Sequence, residues 1–350
     1  MTELIFLTTT AALLAILLFW GFRHLPGERW QMLAVVPGKK QDNHHWQGTN
    51  ITYYGFFIAT SQLLSLTLLL ILLGAMDISL PGTALATGLL LAVCVPAARI
   101  VAILVEKKRH TFTIGGASFI GILLAPFCIY YSDQILSGFG HCYLPFLPVM
   151  SAMAIAYTLG EGLGRLGCLS FGCCYGKPLR DCSPFVQRLF AGTGTIFHGS
   201  TKKVEYESRL SGERLVPVQA ITCILFTLTA LSGSWLFLHA HFTPALMLCI
   251  TVTQIWRLLS ETLRADFRGF GKISAYQKMG GLSVLYTCGI VLLTRPAVFQ
   301  QPVIVKGLVQ LWQPEIIIGL QLVWLLFFIY FGRSTVTSST VSFTLREERI

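Results

Sequence analysis

The sequence predicts an all-α polytopic membrane protein, with about nine transmembrane helices. The chain has 350 residues, of which 54% are hydrophobic and only 12% are charged, and its mean hydropathy is +0.66. Soluble domains carry about twice that share of charged residues. The composition therefore excludes a soluble globular fold and indicates that most of the chain lies in a lipid bilayer.

Apolar runs of membrane-spanning length recur along the whole chain. A helix of about 20 apolar residues crosses the hydrocarbon core of a bilayer. The runs that meet this length are 4–22, 52–74, 82–105, 114–131, 144–164, 217–238, 243–263, 275–294 and 315–332. The first run lacks a basic leader and an Ala-x-Ala-like cleavage site, so we expect a retained helix rather than a removed signal peptide.

Basic residues are concentrated on one side of the predicted bundle. The segments 23–50, 105–112, 165–216, 264–273 and 333–350 hold 21 of the 26 Lys and Arg residues. Because basic loops tend to remain in the cytoplasm, this bias predicts a cytoplasmic C-terminus and an external N-terminus. Attraction of the same charge to anionic lipid head groups is the alternative explanation.

A glycine-rich motif with two opposite charges ends the fifth apolar run. Glu161 precedes Arg165 by four residues, so on a helix the two side chains lie on one face and can pair. Gly164 and Gly167 permit close approach of a helix or a lipid head group. We interpret Arg165 as a ligand of a lipid phosphate and Glu161 as the group that orients it or accepts a proton. A purely structural ion pair is the alternative.

A second group of charges lies at the end of the seventh apolar run. Arg257, Glu261 and Arg264 recur at helical spacing, so two guanidinium groups and one carboxylate share a stripe. Charges at such depth are costly unless they pair or serve a site; the alternative is that the arginines merely extend to the interface. Arg99, in the third run, is a further intramembrane charge and a candidate phosphate contact or partner of a carboxylate.

These motifs resemble those of the prolipoprotein diacylglyceryl transferase family. That family has a Tyr-Gly pair early in its core, a Gly-Arg-x-Gly-Asn-Phe signature and a later Arg-x-x-x-Glu-x-x-Arg pattern. Residues 115–122 are similar to its Gly-Gly-Met-Ser-Phe-His-Gly-Gly stretch, and 216–219 to its His-Pro-Ser-Gln stretch. The resemblance therefore adds Tyr54, Ser118 and Gln219 to the candidate substrate-binding residues, together with Arg99, Gly164, Gly167 and Arg264.

The resemblance implies a transferase that moves the diacylglyceryl moiety of an anionic glycerophospholipid, phosphatidylglycerol, to an acceptor. In that family two arginines are thought to hold the lipid phosphate while an acceptor thiolate displaces glycerol phosphate. Carried over, this makes Arg165 and Arg257 a phosphate clamp, with Glu261 and Arg264 in support.

The resemblance also divides the chain into three parts. It implies a seven-helix transferase-like core at 51–294, which includes the polar loop 165–216. The segment 1–50 is then an added N-terminal helix with a polar loop, and 295–350 is an added C-terminal helix with a tail.

Three positions depart from the family pattern. Ile120 replaces the histidine of the Ser-Phe-His stretch, Cys168 replaces the signature asparagine, and Thr253 replaces a tyrosine. An isoleucine cannot move a proton, so another group must do so. The candidates are Glu161, His110, His198, Cys168, Cys173 and Cys174.

Vicinal Cys173 and Cys174 have two interpretations. They can supply a nucleophilic thiolate, helped by nearby positive charge, or they can be small packing residues. The cysteine spacing fits no standard zinc pattern, so we expect no metal. We also expect no other cofactor.

We expect a multi-pass protein of the bacterial inner membrane whose partners are a phospholipid donor and an unidentified protein or lipid acceptor, without nucleic acid. The charge bias places its site in the cytoplasm, whereas the resemblance places it outside. Two other functions stay open: a lipid-binding pseudoenzyme, which the lost histidine favours, and a lipid transporter or scramblase. Transporters tend to show repeated halves and broken helices, and neither is visible in the sequence.

Overall fold

The computed structural model describes residues 1–42, 44–106, 114–139, 144–265, 274–294 and 297–350. Its helices are α1 Thr2–His24, α2 Tyr53–Gly74, α3 Leu80–Val101, α4 Ile114–Gly138, α5 Phe146–Phe171, α6 Pro184–Phe190, α7 Lys203–Ser208, α8 Val218–Leu238, α9 Phe242–Leu263, α10 Ala275–Leu293, α11 Ile304–Leu311 and α12 Pro314–Gly332. Its strands are β1 Met32–Lys40, β2 His45–Thr52, β3 Thr195–Ile196, β4 Arg214–Leu215 and β5 Arg333–Ser342.

The predicted fold class is confirmed, because the chain is 71% helical and each predicted apolar run forms a helix. Among the described residues, 8 helices are long and apolar enough to cross a membrane. The remaining predicted run, α10, is a 19-residue helix whose first turn holds the polar Gln277 and Lys278. Both α4 and α5 continue about two turns beyond the predicted ends. Arg165 therefore lies within a helix and not at its junction with a loop.

Helix α5 is the centre of the bundle. It packs against α2, α8 and α9. In an apolar 18-residue segment of α5, 83% of the residues are buried, compared with 11% in the corresponding segment of α12. Small residues allow this burial: a Cβ atom added at Gly162 would lie 2.8 Å from Phe226 Cβ on α8. Close backbone approach of this kind is the usual way in which membrane helices associate. Side chains on α5 consequently face protein on nearly every side.

A three-stranded antiparallel sheet joins the two ends of the chain in the order β1-β2-β5. Residues 23–50, predicted as a polar loop, and 333–350, predicted as a tail, instead contribute these strands. Asn50 on the central strand is buried and donates from Nδ2 to Thr337 Oγ1 at 3.2 Å, while its Oδ1 accepts from Ser339 Oγ at 2.6 Å. The first and last membrane helices are thus braced to each other outside the apolar spans.

Contacts between loops agree with the two sides that the sequence predicts. On the basic side, the Lys177 amide donates to Leu263 O at 2.9 Å and the His198 amide donates to Pro26 O at 3.1 Å. On the other side, Lys306 Nζ forms an ion pair with Asp77. The polar loop after α5 is built from short elements, among them α6, α7 and the β3-β4 pair.

Candidate functional site

The charged motifs on α5 and α9 meet in the middle of the bundle. Glu161 Oε1 accepts from Arg165 Nη2 at 2.8 Å, one turn along α5, and from Arg257 Nη2 of α9 at 2.7 Å. Arg257 Nη2 also donates to Glu161 Oε2 at 2.8 Å. A single carboxylate therefore bridges two arginines that are 92 positions apart in the sequence.

A tyrosine and a glutamine complete this arrangement. The Tyr157 hydroxyl, one turn before Glu161, donates a short hydrogen bond to Glu161 Oε2. Arg257 Nη2 donates to the Tyr157 oxygen at 3.2 Å, and Gln254 Nε2 approaches the same oxygen at 3.4 Å. Both oxygens of the Glu161 carboxylate accept hydrogen bonds from these groups. These bonds orient both guanidinium groups.

Each of the two arginines has a buried donor atom without an acceptor among the described residues. The side chains of Arg165, Arg257 and Glu161 are 12%, 11% and 3% exposed, so the three charged groups are largely removed from water. Two guanidinium groups and one carboxylate leave a net charge of +1. In the described part of the chain, the buried Nε atom of each arginine has no hydrogen-bond partner. Buried donors without acceptors are costly, and an anion with several oxygens would satisfy them.

The start of α4 lies directly against Arg257. A Cβ atom added at Gly115 would lie 2.7 Å from Tyr276 Cδ1 and 2.8 Å from Arg257 Nη1, so only glycine fits without displacing these side chains. Ser118, one turn later, is buried; its hydroxyl donates to Gly115 O at 3.1 Å and interacts with Tyr157. The stretch that resembles the family's Gly-Gly motif is therefore part of the arginine site, and it brings a helix N-terminus to it.

Other predicted substrate-binding residues surround the α5 end of the site. Gly167 lies against the backbone of Tyr54 on α2, with a built Cβ atom 3.1 Å from Tyr54 O, and Gly164 faces Ser61 of the same helix. Gln219 is buried at the start of α8, where its Nε2 donates to Cys173 O at 2.9 Å. These residues position the helices and the turn after α5.

The remaining candidates lie on α3, at the end of α9, in the polar loop or outside the described residues. Arg99 is exposed on α3, and its Nη2 lies 3.5 Å from Tyr330 Oη on α12. Glu261 is half-buried, with no ion pair to any residue that the structure describes. Arg264 caps the end of α9, forms a backbone bridge with Gly176 and interacts electrostatically with Arg165. His198 is exposed in the polar loop, and His110 lies outside the described residues.

Three predicted cysteines form a cluster at the end of α5. The sulfur atoms of Cys168, Cys173 and Cys174 all lie within 4.8 Å of one another. Hydrogen bonds with the other two thiols and burial raise the pKa of the Cys173 thiol well above its usual value. Because the thiolate is the nucleophile, Cys173 is poorly suited to attack a substrate in this state.

Three groups at or near the site are not among the residues predicted from the sequence. Tyr157 continues the four-residue spacing of Glu161 and Arg165, so helical periodicity was a usable signal for it. Gln254 lies one residue beyond the family's tyrosine position and had no such signal. Lys202 is completely buried beneath the turn after α5, where its Nζ donates to Ser170 O at 2.6 Å. Burial lowers its pKa to about 8.

One family of known proteins matches most of the chain. The family model described as prolipoprotein diacylglyceryl transferase matches residues 44–295, a range that includes both arginines, their carboxylate and the glycines of α4. No curated protein matches the chain. The match covers well over half of the residues and confirms the resemblance of the motifs, and the chain belongs to the prolipoprotein diacylglyceryl transferase family of membrane transferases.

Proposed function

We propose that the chain is an enzyme that transfers the diacylglyceryl moiety of phosphatidylglycerol to an acceptor, with Arg165 and Arg257 holding the lipid phosphate. The carrying observation is the pair of buried guanidinium groups that share one carboxylate and keep unsatisfied Nε donors. The catalytic core is the part of the chain at 51–294, and the added terminal segments brace it through the sheet. The family uses a lipid donor and a lipoprotein acceptor.

An anionic head group fits this site better than a neutral one. The guanidinium fork presents parallel donors that match phosphate oxygens in pairs. Burial strengthens the attraction because the surroundings screen charge less than water does. The N-terminal turn of α4 adds a positive dipole end beside Arg257. Phosphatidylglycerol carries one negative charge, which balances the net charge of +1 on the three side chains.

The chemistry that these residues support is displacement at the glyceryl carbon. An acceptor nucleophile forms a bond to that carbon, the bond between the carbon and the phosphate oxygen breaks, and glycerol phosphate leaves with the electron pair. Fixed guanidinium groups stabilise the charge that develops on the leaving oxygen, and loss of one such donor costs about 10²–10³ in rate. In this proposal Glu161 is a positioning residue, because its oxygens are already engaged by donors from Arg165, Arg257 and Tyr157.

Lysine substitutions test the clamp. Arg165→Lys and Arg257→Lys keep the charge but lose the planar fork, so we expect transfer to fall by about 10²-fold or more in each. Arg188→Lys, at an exposed arginine of α6, is the matched control. The measurement is a lipid and lipoprotein mass spectrum of cells that express each variant, against cells without the protein.

Two outcomes would contradict the proposal. Full transfer by either lysine variant would show that bidentate phosphate recognition is wrong. Binding of phosphatidylglycerol to the purified wild-type chain without any change in cellular lipids or lipoproteins would favour a lipid-binding pseudoenzyme, consistent with Ile120 in place of the family's histidine.

A further inference from the structure

The turn that ends α5 folds the chain back over its own last turn. Gly172 is left-handed with φ 74°, and the amides of Gly172 and Cys173 both donate to Cys168 O, at 2.8 and 3.1 Å. Cys174 is also left-handed, with φ 57°. A non-glycine residue rarely adopts this conformation, and such strained residues concentrate at functional sites. The consequence is that the thiols of Cys173 and Cys174 return to the thiol of Cys168.

Neighbouring elements hold this turn in place. Gln219 of α8 donates to Cys173 O at 2.9 Å, and the Ala265 amide after α9 donates to Tyr175 O at 3.1 Å. On the opposite side, Lys202 packs against Gly172, where a built Cβ atom would lie 3.0 Å from Lys202 Cβ. A group of sulfur atoms supported in this way is preorganised, which is what a metal site requires of its supporting residues.

The arrangement has the chemistry of a thiolate metal site. With zinc–sulfur bonds of about 2.3 Å in tetrahedral geometry, sulfur atoms lie about 3.8 Å apart, and the three sulfur atoms of the cluster lie within 4.8 Å of one another. Cys168 is buried, whereas Cys173 and Cys174 are half-buried, so an ion can reach the cluster from the polar loop. Three thiolates and Zn²⁺ carry a net charge of −1, and Arg165 interacts electrostatically with Cys168 and Cys174.

Packing alone does not account for these three residues. Elsewhere in the described chain, the Cys223 thiol is buried between helices and donates to the Gly162 carbonyl oxygen at 3.1 Å, not to another thiol. A lone buried thiol of this kind behaves as a small apolar residue. Sequence spacing argued against a metal because no Cys-x-x-Cys pair is present, but the left-handed turn brings together sulfurs that the spacing separates.

We propose that Cys168, Cys173 and Cys174 form a three-thiolate site for Zn²⁺, one helical turn from Arg165. On binding, each thiol releases its proton to solvent and three zinc–sulfur bonds form, with no change of oxidation state. Three protein ligands leave the fourth tetrahedral position for an exogenous ligand, as in zinc sites that act on substrates.

A ligand at the open position can be deprotonated without the histidine that this chain lacks. An acceptor thiol that binds zinc would release its proton to solvent, so no protein base would be needed. Its thiolate sulfur would then form a bond to the glyceryl carbon while the bond between that carbon and the phosphate oxygen breaks. Glycerol phosphate would leave with the electron pair, held by the two arginines. This role rests on the proposed function, whereas the binding of zinc does not.

Cobalt substitution tests the metal site directly. The full-length chain, purified in detergent with a thiol-free reductant, is titrated with Co²⁺, whose tetrahedral thiolate complexes show a near-ultraviolet charge-transfer band and visible d–d bands. We expect saturation at one ion per chain and displacement of the cobalt by Zn²⁺. Serine substitution of Cys168, Cys173 or Cys174 should weaken binding by at least about tenfold.

Cys182→Ser is the matched control, because this thiol lies in the same polar loop but donates to Pro178 O, outside the cluster. Absence of the charge-transfer band would overturn the proposal, as would an unchanged band in all three cluster variants. Melting temperatures of the apo variants separate loss of a ligand from loss of the fold. Failure of the cobalt titration would not contradict the arginine clamp. The clamp is tested separately, by lipid binding and transfer with the Arg165 and Arg257 variants.

A change in the d–d bands on addition of a cysteine-containing acceptor peptide, compared with its serine counterpart, tests the role of the fourth position. Equal spectra with the two peptides would overturn the activation of an acceptor thiol by zinc. Metal binding would then still be established by the titration itself.

Discussion

Replacing Glu161 with glutamine removes the charge that holds the two arginines together. In the wild type the carboxylate accepts from Arg165 at 2.8 Å and from Arg257 at 2.7 Å, and all three side chains are no more than 12% exposed. Removing one member of a buried ion pair costs about 3–5 kcal/mol, because the remaining charge stays buried without compensation. At about 2 °C per kcal/mol for a chain of this size, the melting temperature should fall by about 6–10 °C.

The loss should depend on the lipid. A phosphate bound between Arg165 and Arg257 replaces the missing negative charge, so phosphatidylglycerol should stabilise Glu161→Gln more than it stabilises the wild type. The assay is thermal unfolding of the full-length protein in nanodiscs of phosphatidylcholine, with and without phosphatidylglycerol. Glu213→Gln is the control: its ion pair with Arg180 is also 2.8 Å long but is 63% and 38% exposed, so we expect less than about 1 kcal/mol.

Several results would refute this reasoning. Equal melting of Glu161→Gln and Glu213→Gln in phosphatidylcholine would show that the carboxylate does not hold the arginine pair. Equal protection of variant and wild type by phosphatidylglycerol would show that the pair does not receive the phosphate. Transfer should fall by about 10²-fold or more, because the guanidinium groups are no longer oriented. Wild-type transfer would exclude a role for Glu161 in the reaction, and lost transfer with intact stability would favour a proton acceptor.

Three further predictions use other parts of the structure. Gly115→Ala places a Cβ atom 2.8 Å from Arg257 Nη1 and should reduce lipid transfer by about 10²-fold, whereas Gly281→Ala, with no atom within 4 Å, should be silent. Burial lowers the pKa of Lys202 from 10.5 to about 8, so the folded state binds fewer protons than the unfolded state between these pH values. The free energy of unfolding of the wild type should therefore rise by about 3 kcal/mol over that interval. In Lys202→Met this rise should be absent, as measured by denaturant unfolding. The charge bias predicts that Ser200→Cys in the polar loop reacts with an impermeant thiol reagent only after cells are permeabilised; ready labelling in intact cells would place the loop outside.

The sequence by itself determined the membrane-embedded class, the approximate spans and the family. These follow from local properties. Composition and run length indicate which segments lie in lipid, and the ordered motifs indicate the family. The pairing of Glu161 with Arg165 was also predictable, because residues four apart on a helix always share a face. Tyr157 lies on the same four-residue spacing and was accessible to the same reasoning.

Only the tertiary structure decided which partners the local motifs find. Arg257 shares Glu161 because α9 packs against α5 in one particular register, and nothing in the periodicity of either helix specifies that register. The sheet between β2 and β5 pairs segments at opposite ends of the chain, although the β-branched residues of 333–342 are a usable local signal.

The thiol cluster is the clearest case of a feature decided by tertiary structure. Its spacing in the sequence predicts no metal site, whereas the left-handed conformations of Gly172 and Cys174 bring the three sulfur atoms within 4.8 Å of one another. Backbone conformation at a helix end depends on what the neighbouring elements hold in place, here Gln219 and Lys202. Sequence spacing measures distance along the chain, whereas ligand geometry is set by the turn, so the physics of packing had to supply what the pattern lacked.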